Sequence, residues 1–456
     1  MSEAFELIVI GAGSGARHGA ERAAREYGAN VALIERERWG GSCPNIACRP
    51  TKAYLVAAEQ VNDANVYAEM RGVQMGPATI DMAQLRRWKD SLRRTQESWL
   101  ELLSEKYATF PAEASFVDAQ TVRIGEQELT AERILVATGS RTAVPPVPGI
   151  EDVPWLDHVT ALELERVPES LLVVGAGPVG LEFAQIFSRF GSRVTVVNHA
   201  SQIAARSDEE AAAELQAALE AEGIEFILDA GVDAFRRDGD LAIATVAGRE
   251  LRVTDVLLAS GRRPNSEALA LEAARVETDR GFIVVDDRQR TSADGIWAAG
   301  DVAIGPMFTP TAQYQARVAI DDMFGSGERR ADYRVLPTSI FTDPELAAVG
   351  LTETEARAQG FDVDVVKHPL KLVTRAQYTA TEHGLYKIVF DRATRRVLGV
   401  HVVCRGGSDI VGSLAVALQL GAKVDDLALV HHVYPSISEG LKAAAERALA
   451  APVRAS

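Results

Sequence analysis

An α/β fold built on two Rossmann-like dinucleotide-binding domains is predicted by two stretches of the 456-residue chain. In ELIVIGAGSGA an apolar β-run leads into Gly11 and Gly13, with Ala16 where a third glycine often stands. In SLLVVGAGPVGLEFAQIFSRFGSRVTVVN the order recurs: a β-run, then Gly175, Gly177 and Gly180, an amphipathic helix and another β-run. Glycines at this spacing let a backbone approach a pyrophosphate at a helix N-terminus, so each stretch reads as one dinucleotide site.

In chain order, the run VALIE ends on Glu35, where a carboxylate binds a ribose hydroxyl. Residues 78–107, rich in leucine, arginine and glutamate, read as one long helix. ILVATGSR at 134–141, which contains Gly139, and VLLASGRRPN at 256–265 each close a β-run on a glycine turn, and they resemble one another as paired domain crossings. The second nucleotide motif ends on Asn198, followed by His199 and, farther on, Arg206. No acid stands there to repel a 2′-phosphate, so the reading is NADPH, with NADH possible because a neutral residue permits both. TSADGIWAAGDV ends on Gly300 and Asp301, a place for a carboxylate to meet a cofactor hydroxyl. Residues 384–403 and 406–421 read as strands and then a helix.

The formal charge of −16 argues against nucleic acid and against anionic membranes, and it favours small-molecule work. No basic segment with an apolar signal core opens the chain, and no run of 18 uncharged apolar residues occurs; the expected location is cytoplasmic. Three cysteines are too few for a secreted disulfide scaffold. Cys404, in GVHVVCRGG, reads as a strand-end core residue.

GGSCPNIACRPTK, residues 40–52, holds the other two, Cys43 and Cys48, with Lys52 one helical turn beyond the second. Two neighbouring core cysteines are one reading and a redox pair is the other. A zinc site is disfavoured, since structural zinc wants four ligands, and no metal site is expected. A bridge requires one cysteine in the loop before a helix and the other in its first turn, where a thiolate is stabilised and reactive.

Together these motifs resemble the flavin-dependent pyridine nucleotide-disulfide oxidoreductases, which include glutathione reductase, dihydrolipoamide dehydrogenase and mercuric reductase. The C-terminal motif is most similar to mercuric reductase-like members. The resemblance implies FAD on Gly11, Gly13, Glu35 and Asp301, and the nicotinamide cofactor on the second motif. It makes Cys48 the thiolate against the flavin, Cys43 the sulfur that exchanges with substrate, and Glu182 in GPVGLEF the partner of Lys52. It implies an FAD domain of 1–150 and 275–335, a nicotinamide domain of 151–274 and a C-terminal α+β dimerisation domain of 336–456, hence a homodimer.

The chain departs from that pattern in HHVYPSISEGLK. Disulfide-reducing members place a histidine before this proline, whereas here Tyr434 precedes Pro435 and Glu439 is kept. An imidazole titrates near neutrality and returns a proton to a departing thiolate, whereas a phenol ordinarily titrates near 10. Tyr434 is a donor or binding group near Cys43, or it fills space, with His432 a substitute base. The closing AAPVRAS also lacks the vicinal cysteines of mercuric reductases. The expected function is NAD(P)H-driven electron transfer through a Cys43–Cys48 disulfide to a small disulfide, thiol or thiophilic metal acceptor. A dihydrolipoamide dehydrogenase-like enzyme and a non-catalytic redox-sensing flavoprotein are the alternatives.

Overall fold

The computed structural model describes residues 3–379 and 381–450, so the end of AAPVRAS lies outside the described residues. The chain forms two compact units, each assembled from separate segments. One comprises Met1–Pro50, Arg87–Ala143 and Gly261–Asp332, and the other Thr51–Arg86, Val144–Ser260 and Tyr333–Ser456.

In the first unit the run LIVI is buried on both faces because it is central in a parallel sheet. The strand order is Ile296–Ala298, Ile134–Val136, Leu7–Ile10, Val31–Ile34, Ala108–Phe110. Helix Ser14–Tyr27 lays a stripe of glycine and alanine on this sheet. The stripe must be small: a Cβ on Gly19 would stand 2.7 Å from the Leu135 side chain. A second sheet of Glu3–Phe5, Gln127–Ala131, Thr121–Ile124 and Ala114–Phe116 flanks the unit. The two crossings noted in the sequence pair with each other, Ser140–Thr142 running antiparallel to Arg262–Pro264.

The stretch 78–107 is not one helix but two, Met82–Ser91 and Gln96–Ser104. The reason is local. Ser91 turns its hydroxyl back to the Trp88 carbonyl, and Thr95 accepts the Ser98 N–H as an N-cap, so hydroxyl groups end one helix and start the next.

The second unit holds a parallel sheet ordered Trp155–Leu156, Asp255–Leu258, Ser170–Val174, Arg193–Val197, Glu225–Ile227, and a three-stranded antiparallel sheet from Val232 to Val253. Its C-terminal part is α+β. Strands Thr338–Ile340, Glu345–Gly350, Val397–Cys404, Leu385–Asp391 and Val363–Pro369 form an antiparallel sheet, on which helices Gly407–Gln419 and Glu439–Ala450 pack. Cys404 ends its strand fully buried, as expected from the sequence.

Lys387, 2 % exposed within strand Leu385–Asp391, meets Asp208, Glu210 and Glu353 at 2.9, 2.8 and 3.0 Å. Asp208 also caps helix Glu209–Ala221, so one ammonium ties a strand, a helix start and the helix Glu353–Ala358. Among the described residues no helix is long and apolar enough to cross a membrane.

Candidate active site

The cysteine stretch is positioned by glycines. Gly40 and Gly41 have φ of +89° and +77°, and a Cβ on them would stand 2.6 Å from Trp99 and 2.4 Å from the Gly13 Cα. Only glycine permits this approach of the loop to the first glycine turn. The backbone then makes a short helical turn, Ser42–Asn45, that carries Cys43, and Cys48 opens helix Cys48–Asn62. Asn45 fixes the turn by donating to the Trp39 and Gly41 carbonyls at 2.9 and 2.8 Å. The Cys48 sulfur lies 3.7 Å from the Thr309 hydroxyl, and Thr309 opens helix Thr309–Phe324. Two helix N-termini therefore meet at one sulfur, an arrangement that favours thiolate over thiol.

Around the first glycine turn, a Cβ on Gly11 would stand 2.4 Å from the Ala137 carbonyl oxygen. Glu35 accepts the Ala12 N–H at 2.9 Å on one oxygen and the Glu37 and Arg38 N–H groups, each at 2.9 Å, on the other. Asp301 accepts the Ser140 hydroxyl at 2.8 Å. Gly139 stands at the crossing with φ +71° and open space on its Cβ side. Ala16 is buried within the helix face and serves packing.

In the second unit Gly175 and Gly180 abut so closely that a Cβ on Gly180 would lie 1.9 Å from the Gly175 carbonyl oxygen, while Gly177 caps helix Pro178–Arg189. Asn198 accepts the Ala176 N–H at 3.3 Å and donates to the Gln202 carbonyl at 2.9 Å, the same tie between strand end and glycine turn that Glu35 makes with Ala12. His199 and Arg206 are exposed. Glu182, 5 % exposed, grips the Lys52 ammonium with both oxygens at 2.9 and 2.8 Å and accepts the Phe341 N–H at 3.1 Å. The ammonium lies 4.3 Å from the centre of the Phe341 ring.

Residues 5–316 match the family described as Pyridine nucleotide-disulphide oxidoreductase, and residues 336–445 match its dimerisation domain. The chain belongs to the pyridine nucleotide-disulphide oxidoreductases. This oxidoreductase is 36 % identical over 449 residues to a mercuric reductase of Lysinibacillus sphaericus, covering 97 % of this chain and 82 % of that one. It is 36 % identical over 465 residues to dihydrolipoyl dehydrogenase 3 of Pseudomonas aeruginosa, covering 98 % of each. The Cu(II) complex of the HOCl-induced flavoprotein disulfide reductase RclA from Escherichia coli superposes with a TM-score of 0.87 at 30 % identity, over 98 % of this chain and all (100 %) of that one.

As a member of this family the oxidoreductase is an FAD-dependent enzyme that uses a pyridine nucleotide. Its first unit fits FAD on its own geometry. The Thr311 hydroxyl, in the first turn of Thr309–Phe324, is fully buried with no hydrogen-bond partner among the described residues, so a polar group is called for at that helix N-terminus. Beside it Gly300 takes φ +78° and donates its N–H to Gln315 at 2.7 Å, which holds the neighbouring Asp301 turn.

The C-terminal segment is arranged differently from a histidine–glutamate pair. Tyr434 is 70 % exposed, and Glu439 accepts the Ser436 N–H at 3.0 Å at the start of helix Glu439–Ala450. His432 Nδ1 lies 3.0 Å from the Ser438 hydroxyl, and burial, aided by Lys442, pulls its imidazole below the ordinary range against Glu439. Thr309, Thr311 and Phe341 escaped the sequence reading. The TPT start of the helix, with proline in its first turn, was the one available signal for the two threonines; the aromatic stack on Lys52 depends on chain folding and has none.

Proposed function

We propose an oxidoreductase, preferring NADPH, that sends an electron pair through Cys43 and Cys48 to a disulfide or a thiophilic metal ion. The observation that carries this reading is the Cys48 sulfur beside the Thr309 hydroxyl, 3.7 Å away, where helices Cys48–Asn62 and Thr309–Phe324 begin. A thiolate there is stabilised by the two helix N-termini.

Residues 1–150 with 275–335 would hold FAD, through Gly11, Gly13, Gly139, Glu35 and Asp301. Residues 151–274 would hold the nicotinamide nucleotide through Gly175, Gly177 and Gly180, with His199 and Arg206 toward a 2′-phosphate. FAD held there would supply the two-electron chemistry that links the reduced nicotinamide to the cysteine pair. Glu182 orients the Lys52 ammonium with both carboxylate oxygens. Cys48 carries the thiolate, and Cys43 meets the acceptor. For a disulfide, NADPH and one proton yield NADP⁺ and two thiols. For Hg(II), NADPH yields NADP⁺, a proton and the metal at oxidation state zero.

Residues 336–456 would join a second copy, whose Tyr434 and Glu439 would reach the Cys43 of the first. A metal ion accepts electrons without a proton. An exposed Tyr434 in place of a histidine supports such an acceptor, as do the similar mercuric reductase and Cu(II)-bound flavoprotein.

The test is steady-state oxidation of NADPH and NADH with Hg(II), Cu(II), disulfides and quinones, in the unmodified protein and in Cys43→Ser and Cys48→Ser. The expected result is NADPH-preferring turnover that either substitution abolishes. Turnover indifferent to both substitutions overturns the reading. Because a dihydrolipoyl dehydrogenase is equally similar, NAD⁺-dependent oxidation of dihydrolipoamide as the dominant activity would replace it.

A further inference from the structure

Beside the Cys43 turn the first unit carries two arginines that make no ion pair among the described residues. Arg17, on helix Ser14–Tyr27, and Arg94, just before helix Gln96–Ser104, both lie over the Trp99 ring, at 4.7 and 5.6 Å from its centre. Among the described residues neither guanidinium makes a hydrogen bond or an ion pair. Arg93 shows the contrast: it pairs with Asp90 at 2.7 Å and donates to the Asn45 carbonyl.

Two donors there are also sealed from solvent without a partner among the described residues: Arg17 Nε and the indole Nε1 of Trp99. Trp99 is itself 8 % exposed. Buried polar groups are nearly always satisfied, and a desolvated guanidinium ordinarily finds an anion. Burial pulls the Arg17 guanidinium below its ordinary range, with Cys43 the foremost charge acting against that shift, then Glu21 and Tyr107. Arg17 is therefore within electrostatic reach of Cys43. Gly40, three residues before Cys43, rests against the Trp99 ring.

We propose that Arg17, Arg94 and Trp99 form a receiving site for a carboxylate on the acceptor that reacts at Cys43, so that the natural acceptor is an anionic sulfur compound. Its sulfur arrives as a carboxylate-bearing disulfide or as a metal ion held by carboxylate-bearing thiolates. This inference rests on Cys43 being the acceptor-facing sulfur. With a disulfide, the Cys43 thiolate attacks one sulfur, the acceptor S–S bond breaks and one thiolate leaves. The Cys48 thiolate then displaces the second thiolate and restores the Cys43–Cys48 bond, NADPH having supplied the electron pair.

The experiment compares two disulfides in NADPH-driven turnover, the dicarboxylate 5,5′-dithiobis(2-nitrobenzoate) and the uncharged 4,4′-dithiodipyridine. A parallel pair is Hg(II) bound by mercaptoacetate or by 2-mercaptoethanol. Arg17→Met is expected to lower kcat/KM for the carboxylated disulfide about ten- to a hundredfold, mainly through KM, the loss of a charge-assisted contact. The neutral disulfide should change by less than about threefold on the same scale. Arg17→Lys should recover most of the loss. Arg94→Gln, at an exposed position that leaves folding undisturbed, should act in the same sense and more weakly.

A matching pattern with the mercury complexes alone assigns the site to metal thiolates, and with the disulfides alone to disulfides. Equal losses for charged and neutral acceptors mean that Arg17 serves the Cys43 thiolate instead, and overturn the proposal, as does no loss at all. If Cys43→Ser reduces both disulfides as fast as the unmodified protein, the role given to Cys43 fails. The charge preference is then still read from Arg17→Met.

Discussion

Tyr434 stands exposed in a segment where the neighbouring His432 is engaged with Ser438 and Glu439 with the backbone of Ser436. If Tyr434 donates to or holds an acceptor near Cys43, Tyr434→Phe slows turnover while leaving NADPH-driven flavin reduction intact, and stopped-flow spectroscopy separates the two. Tyr434→His supplies a group titrating near 6.5 and should raise activity toward simple disulfides. Turnover of Tyr434→Phe equal to that of the unmodified protein would make Tyr434 filler.

Cys404 has a different fate: burial pushes its thiol up to about 12. Its folded value lies above the unfolded one, so the folded state holds a proton that the unfolded state loses, and stability falls as pH rises from about 9 toward about 12. Cys404→Ala should flatten the loss of stability in that window, measured by urea unfolding at a series of pH values. Native Cys404 should resist alkylation at neutral pH. Its burial was legible because VVC continues an apolar run. The Cys48–Thr309 approach was not, since the partners stand 261 positions apart with no shared motif.

At the scale of elements, local chemistry was readable wherever glycines or strand runs dominated. Both glycine turns are tight because a Cβ at Gly11 or Gly180 has no room. The segment 78–107 misled because helical composition outweighed two small signals, the hydroxyls of Ser91 and Thr95 that divide it. The lysine in strand Leu385–Asp391 was equally silent in sequence, reading as one polar residue in an apolar run. Lys387→Met removes the cation from the buried Asp208 carboxylate, while Glu210 keeps Lys367 and Glu353 keeps Arg357, at a cost of about 3 kcal/mol. Urea denaturation should show that loss. Glu210 and Glu353 are both held below the ordinary carboxylate range, Glu210 by Lys367 and Lys387 against its own burial, and Glu353 first by Arg357. Their contribution is therefore present above the unfolded carboxylate range and disappears as pH falls through their lowered folded values.

For the molecule as a whole, the apolar surface of the C-terminal part is expressive. Leu420, Leu429, Val433 and Tyr434 are each at least 70 % exposed, and this part matches a dimerisation domain. An exposed apolar set of this kind marks an interface. Sedimentation velocity should give a dimer. Leu429→Asp with Val433→Asp should give monomers that keep NADPH-driven flavin reduction and lose acceptor turnover. Monomers with full turnover would show that one chain suffices. Such a partnership is invisible to composition and enters only through family resemblance, whereas the charge of −16 bears on partners of other kinds.

The alternation of the chain between its two units has a consequence for biosynthesis. Strand Leu7–Ile10 emerges from the ribosome early, yet its sheet is closed at one edge by Ile296–Ala298, which is made nearly three hundred residues later. At ordinary elongation rates the nascent N-terminal strands wait roughly 15–60 s for that edge. During the wait Ile134–Val136 presents an unpaired apolar border, a template for other nascent chains. Slowed translation or an early stop between residues 150 and 290 should therefore increase aggregation of nascent chains more than the same disturbance beyond residue 340, a difference that ribosome-bound fragments of graded length would display.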